Sequence, residues 1–287
     1  MSSASNAGFV PQQNKVLAER DFDKLSEFIS KHCGIKLPRA KKTILQARLQ
    51  NRLKALNMDS FTEYTKYVLS EEGAKNEVVH MVDVVSTNKT DFFRENQHFE
   101  FMKKVILPEL EAARNRSIKV WSSASSSGEE AYTIIMTLYD YFEGKGMPDI
   151  SVLGTDISTR ILKKAIDAVY TEDRISMMNL QQKKKYLLKS KDRENPTVRF
   201  LPFVREKATF KRLNLTDAKY LGIPTDFDIV FCRNVLIYFE RALQERVINN
   251  LCQHLKPGGY FFLGHSESIN GLSVPLKQLQ PTIYQKI

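Results

Sequence analysis

The segment from Ile118 to Met136, IKVWSSASSSGEEAYTIIM, contains a short apolar run, a turn of small residues and a helical pattern that opens on two glutamates. This succession predicts a strand, a tight turn and a helix, the ligand-binding corner of an open α/β sheet. Small residues let a ligand approach the backbone, and a helix N-terminus presents N–H groups without partners. Because Glu129 and Glu130 add negative charge there, we expect a cationic nucleoside at this corner and not a pyrophosphate.

From Ile118 onward, strand patterns alternate with helical patterns, which predicts a mostly parallel sheet covered on both faces. Strands are predicted over 118–122, 151–155, 227–232 and 260–264, and helices over 129–141, 159–167 and 241–255. The alternation stops between residues 171 and 209, where a basic helical piece (180–188) and the runs VRFLPF and ATFKRL predict a small inserted antiparallel β subdomain. The final run, LKQLQPTIYQKI, predicts an antiparallel hairpin at the sheet edge.

The first 85 residues carry helical patterns alone. Leu45, Leu49, Leu53 and Leu56 form an apolar stripe, and Asp59 or Ser60 is expected to cap the next helix, through Val68. A further helix is predicted over 76–85. We therefore expect a flexible tail over 1–18, a helical domain over 19–86, a linker and lead-in helix over 87–115, and an α/β domain over 116–287 whose insertion spans about 171–209.

The net charge of +10 favours an acidic partner. Lys41, Arg48 and Arg52 form a basic stripe on a predicted helix, which indicates either docking to an acidic helical target or simply a solvated helix face. No apolar run reaches the length of a membrane span. The three cysteines have no metal-ligand spacing, so we expect a cytoplasmic protein without a metal site.

Three further segments fall where an open α/β sheet binds its ligand. Asp156 ends the second predicted strand and suits the hydroxyls of a ribose, although it also suits a helix cap. Asn214, between two leucines, suits an adenine edge, and FCRNVLIYF (231–239) is a buried strand running into a polar turn. Since GxxxxGK[ST] and GxGxxG are both absent, these residues favour S-adenosylmethionine, an adenosine cofactor with a cationic tail and no phosphate.

Several motifs together resemble the chemotaxis-receptor protein-glutamate O-methyltransferases, the CheR family. They are TNKTDFFRE (87–95), WSSASSSGEEAY (121–132), TDIS (155–158), FCRNVLIYF (231–239) and LKPGGYFFLGHSES (255–268), and they follow the family's order. The pattern from GIKL to RLQNRL (34–53) is similar to the family's small helical domain. The resemblance implies an N-terminal all-helical domain followed by a Rossmann-like class I methyltransferase domain with a mostly parallel seven-stranded sheet.

The resemblance also implies roles for individual residues. Glu129 would hold the ammonium of the cofactor and Asp156 its ribose, while Arg94 and Tyr238 would border the transferring methyl group and receive the substrate glutamate. Ser125 and Ala131 stand where many members have Cys and Pro, and neither position supplies a required charge. The full cofactor-binding set implied is Asn88, Thr90, Arg94, Glu129, Asp156, Asn214, Leu215, Asn234 and Val235.

The implied reaction methylates glutamate side chains of a chemoreceptor and leaves S-adenosyl-L-homocysteine. The implied partner is the acidic helical methylation region of a transmembrane receptor, docked by Lys41, Arg48 and Arg52, with neither nucleic acid nor membrane insertion involved. Two other functions stay open at this point. The positive charge also suits a nucleic-acid methyltransferase, although the two prolines and aromatic typical of amino-group enzymes do not follow Asn234. A non-catalytic scaffold that senses the cofactor is the other.

Overall fold

The computed structural model describes residues 15–287, which divide into two compact units. One unit contains the described residues up to Phe28 together with Leu37–Val85, and the other contains Ile29–Lys36 and Ser86–Ile287. Residues 1–14 of the predicted tail lie outside the described part. Within the predicted tail, Leu17 is buried, and its N–H donates to Gln46 Oε1 at 2.9 Å.

The smaller unit is helical. Its elements are α1 (Glu19–Cys33, which runs on into the second unit), a 3₁₀ turn (Arg39–Lys41), α2 (Lys42–Ala55), α3 (Phe61–Val68), α4 (Glu71–Asn76) and α5 (Val78–Val85). Ser60 caps α3 by accepting the N–H of Glu63 at 3.1 Å. The predicted leucine stripe is buried along α2 at Leu45, Leu49 and Leu53, whereas Leu56 follows the end of the helix. The short helix α4 is not in the sequence prediction.

A buried carboxylate lies at the centre of this unit. Glu77 is 1% exposed and accepts both Nε and Nη2 of Arg52 at 2.7 Å. The hydroxyl of Tyr64 donates to the same carboxylate at 2.9 Å. A buried charge needs such partners because water cannot solvate it. The packing of α2 against α5 in this unit therefore depends on an ion pair as well as on leucines.

Replacing Arg52 with Met is expected to lower the free energy of unfolding by about 3 kcal/mol, because the carboxylate of Glu77 would stay buried without its cation. Urea denaturation, with hydrogen exchange of the α5 amides, measures the loss. Lys54 lies exposed on the same helix, and Lys54→Met is the matched control, expected to change stability by no more than about 0.5 kcal/mol. Equal stability of the two variants would contradict a structural role for the pair.

The larger unit is an α/β domain. Its elements before the small sheet are α6 (Gln97–Phe101), a π-helical turn (Met102–Ile106), α7 (Leu107–Ala112), β1 (Ser117–Ser122), α8 (Glu129–Phe142), β2 (Asp149–Asp156) and α9 (Thr159–Asp167). The next are β3 (Val169–Thr171), α10 (Leu180–Tyr186), β4 (Leu187–Lys189), β5 (Thr197–Phe200) and α11 (Pro202–Arg205). The chain continues with β6 (Ala208–Arg212), β7 (Phe227–Cys232), a 3₁₀ turn (Leu236–Tyr238), α12 (Arg241–His254), β8 (Leu255–Leu263), β9 (Leu276–Gln280) and β10 (Ile283–Lys286).

Seven strands form the main sheet in the order β6-β2-β1-β7-β8-β10-β9. The first five are parallel, and β10 pairs antiparallel with both β8 and β9, which confirms the predicted mostly parallel sheet and its terminal hairpin. Successive side chains of β7 enter opposite cores. Ile229 and Phe231 pack in the cluster that includes α8, while Val230 and Cys232 pack in the cluster that includes α12. Burial on both faces explains why these strands read as continuous apolar runs.

The insertion contains a three-stranded antiparallel sheet in the order β3-β5-β4, as predicted. Two details differ from the prediction. The run VRFLPF is a strand only as far as Phe200, because Pro202 starts α11. The run ATFKRL, grouped with the insertion in the prediction, forms β6 and pairs parallel with β2 at the edge of the main sheet. No helix within residues 15–287 is long and apolar enough to cross a bilayer.

Candidate functional site

The loops that carry most predicted site residues follow the carboxyl ends of neighbouring parallel strands of the main sheet. From β1 the chain proceeds outward to β2 and β6, and then returns to β7 on the other side of β1. Open α/β sheets bind ligands at this reversal of strand order, beyond the carboxyl ends of the strands. The loops after β1, β2, β6 and β7 therefore define the candidate site.

The turn after β1 needs small residues for packing as well as for any ligand. The N–H of Ser125 donates to the carbonyl of Thr155 at 2.7 Å, so the turn lies against the end of β2. Gly128 has φ 94°, a left-handed conformation that favours glycine. A Cβ on Gly154 would lie 2.5 Å from the ring of Phe210 and 2.9 Å from Ser125 Oγ.

Asp156 joins this turn to the end of β2. Its Oδ2 accepts the N–H of Ser126 at 3.0 Å, and its Oδ1 accepts the N–H of Ser158 at 3.0 Å. The hydroxyl of Ser158 accepts the N–H of Ile161 and caps α9. The Asp156 carboxylate therefore joins the turn after β1 to the loop after β2.

Glu129 is buried at the start of α8 and forms a close ion pair. Its Oε1 lies 2.5 Å from Arg174 Nη2, and its Oε2 accepts the hydroxyl of Ser127 at 2.6 Å. The same guanidinium also donates to the carbonyl of Thr90 and to Asp91 Oδ1. Arg174 thus connects the insertion, the segment around Thr90 and the first turn of α8.

The TNKTDFFRE segment lies beside the turn after β1. The carbonyl of Asn88 accepts the hydroxyl of Ser126 at 3.2 Å. The N–H of Ser126 in turn donates to Asp156, so Asn88 lies close to this carboxylate. Arg94 Nη1 donates to the carbonyl of Lys89 at 2.9 Å. Phe92 anchors the segment in the core. The structure therefore brings the predicted residues of this segment to the same end of the strands as Asp156.

The loop after β7 is held by one carboxylate from the loop after β8. Glu267 accepts the N–H groups of Asn234, Val235, Leu236 and Gly264, at 2.9, 2.9, 2.7 and 2.7 Å respectively. Its side chain is buried. Asn234 has φ 59°, which lies in the left-handed region. Burial raises the pKa of Glu267, and the four N–H groups oppose that shift.

A second buried cluster surrounds Arg233, whose side chain is 1% exposed. Its guanidinium lies 3.4 Å from Glu95 Oε2 and 3.5 Å from Glu130 Oε2, and it donates to the carbonyl of Arg94 at 2.5 Å. Glu130 also accepts the hydroxyl of Ser122 at 2.6 Å. Burial raises the pKa of Glu130, and Arg233 opposes that shift. Glu130 therefore has structural partners in this cluster.

The loop after β6 contributes Asn214 and Leu215. Asn214 Nδ2 donates to the carbonyl of His32 at 2.7 Å, and its Oδ1 accepts the N–H and hydroxyl of Thr216. Leu215 is buried. The amide of Asn214 thus already has protein partners, and its predicted contact with adenine would have to use the second N–H of Nδ2 or replace one of these partners.

Comparisons with known proteins identify the family. The CheR methyltransferase all-alpha domain matches residues 20–86, and the CheR methyltransferase SAM-binding domain matches residues 88–285. The chain belongs to the CheR methyltransferase family. It is 35% identical to the chemotaxis protein methyltransferase of Borreliella burgdorferi over 275 residues, which cover 94% of this chain and 95% of that protein. It is also 33% identical to chemotaxis protein methyltransferase 2 of Pseudomonas aeruginosa (92% of each chain) and to the Escherichia coli protein (93% and 91%).

Membership of CheR makes this chain a SAM-dependent methyltransferase, and the site residues fit that cofactor. S-adenosylmethionine carries a sulfonium and an ammonium, and the buried carboxylates of Glu129 and Asp156 lie at the start of α8 and the end of β2. A diphosphate would meet these carboxylates with repulsion. The contacts of the individual predicted cofactor residues remain predictions.

Four charged residues of this CheR site were missed as functional candidates: Glu95, Arg174, Arg233 and Glu267. Three of them lie inside the quoted motifs, in FFRE, FCRN and GHSES, where a charge next to apolar strand residues signals a paired, buried group. Arg174 lies in the insertion, and its link to Glu129 spans 45 positions, so no local pattern indicates it.

Within residues 15–287, one group of side chains has the spacing of metal ligands: Glu95, His98 and His265, whose ligand atoms lie within 4.8 Å of one another. His98 is buried, and its Nε2 lies 2.8 Å from Thr282 Oγ1. Burial lowers the pKa of His98 to about 3, so its ring is neutral. Because the guanidinium of Arg233 already lies against Glu95, a second cation there would be repelled. We assign no metal to this group.

The basic stripe belongs to the helical unit, and two of its three members have structural contacts there. Arg52 pairs with Glu77, and Arg48 donates to the carbonyl of Val85. Lys41 ends the 3₁₀ turn before α2. Arg52 therefore adds little net charge to the surface.

If Glu129 binds the ammonium of the cofactor, Glu129→Gln weakens S-adenosylhomocysteine binding about tenfold, the loss expected for one charge-assisted hydrogen bond. Binding of 5′-methylthioadenosine, which has no ammonium, is expected to stay unchanged. Isothermal titration calorimetry with the two ligands measures both affinities. Asp156→Asn is the comparison variant, expected to weaken both ligands because both contain the ribose. Equal losses for the two ligands in Glu129→Gln would contradict the assignment.

Proposed function

We propose that this CheR-family enzyme transfers a methyl group from S-adenosylmethionine to glutamate side chains of chemoreceptors, giving methyl esters and S-adenosylhomocysteine. The observation that supports this most is the match of both CheR domains, in order, across most of the chain. The relatives of similar length are chemotaxis protein methyltransferases. We also propose a cytoplasmic location, because Cys33, Cys232 and Cys252 are free thiols.

The reaction needs no general base. A glutamate side chain has a pKa of about 4.3 in water, so at neutral pH it is already a carboxylate nucleophile. The bound sulfonium supplies an activated methyl group. The protein therefore has to align the carboxylate oxygen with that methyl group and exclude water from it.

Arg94 is proposed to orient the substrate carboxylate. Its Nη1 donates to a neutral carbonyl, that of Lys89, so this contact leaves the guanidinium charge uncompensated. Positive and negative charge cancel as the methyl group transfers, so several cations at the carboxylate would slow attack, whereas one arginine aligns it. Tyr238 ends the 3₁₀ turn that begins at Leu236, directly after the loop held by Glu267. We propose that its phenol borders the same carboxylate.

The proposed partner surface is the basic stripe of the helical unit, which would meet the acidic methylation helices of a receptor. Electrostatic complementarity of this kind raises the association rate, and this effect becomes weaker as the salt concentration rises. We propose that Lys41 and Arg48 contribute to this attraction, and that Arg52, which is paired with Glu77, contributes less.

A methyl-transfer assay tests the function. The protein is given cofactor labelled in the methyl group and is offered receptor membranes and nucleic acid in parallel. We expect label on the receptor alone, released as methanol by alkali because a glutamate methyl ester is base-labile. Label on nucleic acid would support the alternative methyltransferase, and cofactor binding without transfer would support a scaffold.

In the same assay, Arg94→Ala is expected to lower kcat about a hundredfold, the effect of losing substrate alignment. Its affinity for S-adenosylhomocysteine serves as the control, because a loss there would report a cofactor contact. A variant with the full methylation rate and normal cofactor affinity would contradict the orienting role.

For docking, Lys41→Glu is expected to raise the receptor KM about fivefold and to leave cofactor affinity unchanged, since reversing one charge in a surface contact costs about 1 kcal/mol. Lys66 lies exposed on α3, and Lys66→Glu is the control with the same change in net charge. If both variants raise KM equally, the effect is one of net charge, and the stripe is not the docking surface.

A further inference from the structure

The carboxylate of Glu267 has an unusual set of partners for a glutamate. All four of its described hydrogen bonds come from backbone N–H groups, and three of these belong to the consecutive residues Asn234, Val235 and Leu236. Its side chain is nearly inaccessible to water, with the residue 7% exposed. Consecutive N–H groups that converge on one point form a concave anion-binding site, and here the protein fills that site with its own carboxylate.

The negative charge matters as well as the shape. Oε1 accepts from Val235 and Leu236, and Oε2 accepts from Asn234 and Gly264. An amide of the same shape would direct an NH₂ group at two N–H donors, and donors cannot pair with each other. Unpaired backbone N–H groups in a buried loop are costly, so the loop would shift until water reached them.

Two further contacts hold the same loop. Asn234 Nδ2 donates to Glu95 Oε1 at 3.1 Å. A Cβ on Gly264 would lie 2.4 Å from that Nδ2 and 2.8 Å from the N of Asn234, so the strand β8 end approaches the loop closely. Asn234 itself has a left-handed φ of 59°, which is uncommon for a non-glycine residue, although asparagine adopts it more readily than most. Its contacts with Glu267 and Glu95 hold it in this loop.

We propose that Glu267 is a positioning residue of the methyl-transfer site, whose charge fixes the backbone of Asn234 and Val235 for the cofactor and starts the turn that carries Tyr238. The inference rests on the proposed function, because the roles of Asn234, Val235 and Tyr238 come from it. Glu267 is proposed to act through the loop, by holding its backbone, and not through a bond to the cofactor. Loss of the charge should therefore affect cofactor affinity and kcat together, without changing the receptor KM.

The test compares Glu267→Gln with a matched variant at Asp228. Asp228 is also a buried carboxylate that accepts a backbone N–H, that of Lys119 at 2.8 Å, and it pairs with Lys256 at 2.6 Å. It lies at the start of β7, about 13 Å of strand before Cys232 and the loop that follows. Asp228→Asn thus removes an equally buried charge at the opposite end of the same strand.

We expect both variants to lose thermal stability, but only Glu267→Gln to bind S-adenosylhomocysteine about tenfold more weakly and to lose kcat. The receptor KM should stay at the wild-type value in both. Equal cofactor affinity in the two variants would overturn the inference. If wild-type protein itself fails to bind S-adenosylhomocysteine, the proposed function fails instead, so the two failures are distinguishable.

Glu267→Asp keeps the charge and shortens the reach by one methylene, and it provides the test if the Gln variant does not fold. We expect it to fold and to bind S-adenosylhomocysteine less tightly than wild type, by about threefold, because four N–H groups no longer all reach the carboxylate. Wild-type affinity and wild-type kcat in Glu267→Asp would contradict the positioning role.

Discussion

The loop after β7 depends on the carboxylate of Glu267. Without it, three consecutive N–H groups would point into a buried region with no partner, and the left-handed conformation of Asn234 would lose its support. The 3₁₀ turn that carries Tyr238 starts where this carboxylate binds Leu236. One side chain therefore links the end of β8 to the two parts of the site that the cofactor and the substrate are proposed to share.

The local charge of the site differs in sign from that of the whole protein. The chain has a net charge of +10, yet carboxylates outnumber guanidinium groups around the carboxyl ends of β1, β2 and β7. Arg174 and Arg233 each pair with more than one carboxylate. Such surroundings favour a cationic cofactor and would repel a substrate carboxylate, which is why we propose a separate cation, Arg94, at the point of transfer.

Much of the fold follows from local sequence patterns. The predicted strand over 227–232 and the predicted helix over 159–167 have the observed bounds, because apolar runs and a capping serine are local signals. The strand after α12 begins five residues before its predicted start, since the polar KPGG segment hides it. The run ATFKRL pairs with β2 and not with the small sheet, and only tertiary contacts decide that choice.

In the site, too, some residues are predictable from local patterns and others depend on tertiary contacts. Asp156 and Asn234 end or follow apolar strands, so their position at the sheet edge is readable from the sequence. Arg174 and Glu267 act across 45 and about 30 positions, through contacts that no periodicity encodes. Arg52 looked like a docking cation because its partner, Glu77, lies two helices further along the chain. Local sequence patterns do not indicate which charged residues pair when they lie far apart in the chain.

A crystal structure of the protein with S-adenosylhomocysteine would show whether the cofactor binds at these carboxylates and at the loop held by Glu267. We predict that the ribose hydroxyls lie within hydrogen-bonding distance of the Asp156 carboxylate and that the ammonium lies at Glu129. The Asn234–Val235 backbone is expected to contact the ligand while Glu267 keeps its four N–H bonds. A ligand bound away from the carboxyl ends of β1, β2 and β7, or a Glu267 carboxylate that releases the loop when the ligand binds, would contradict it.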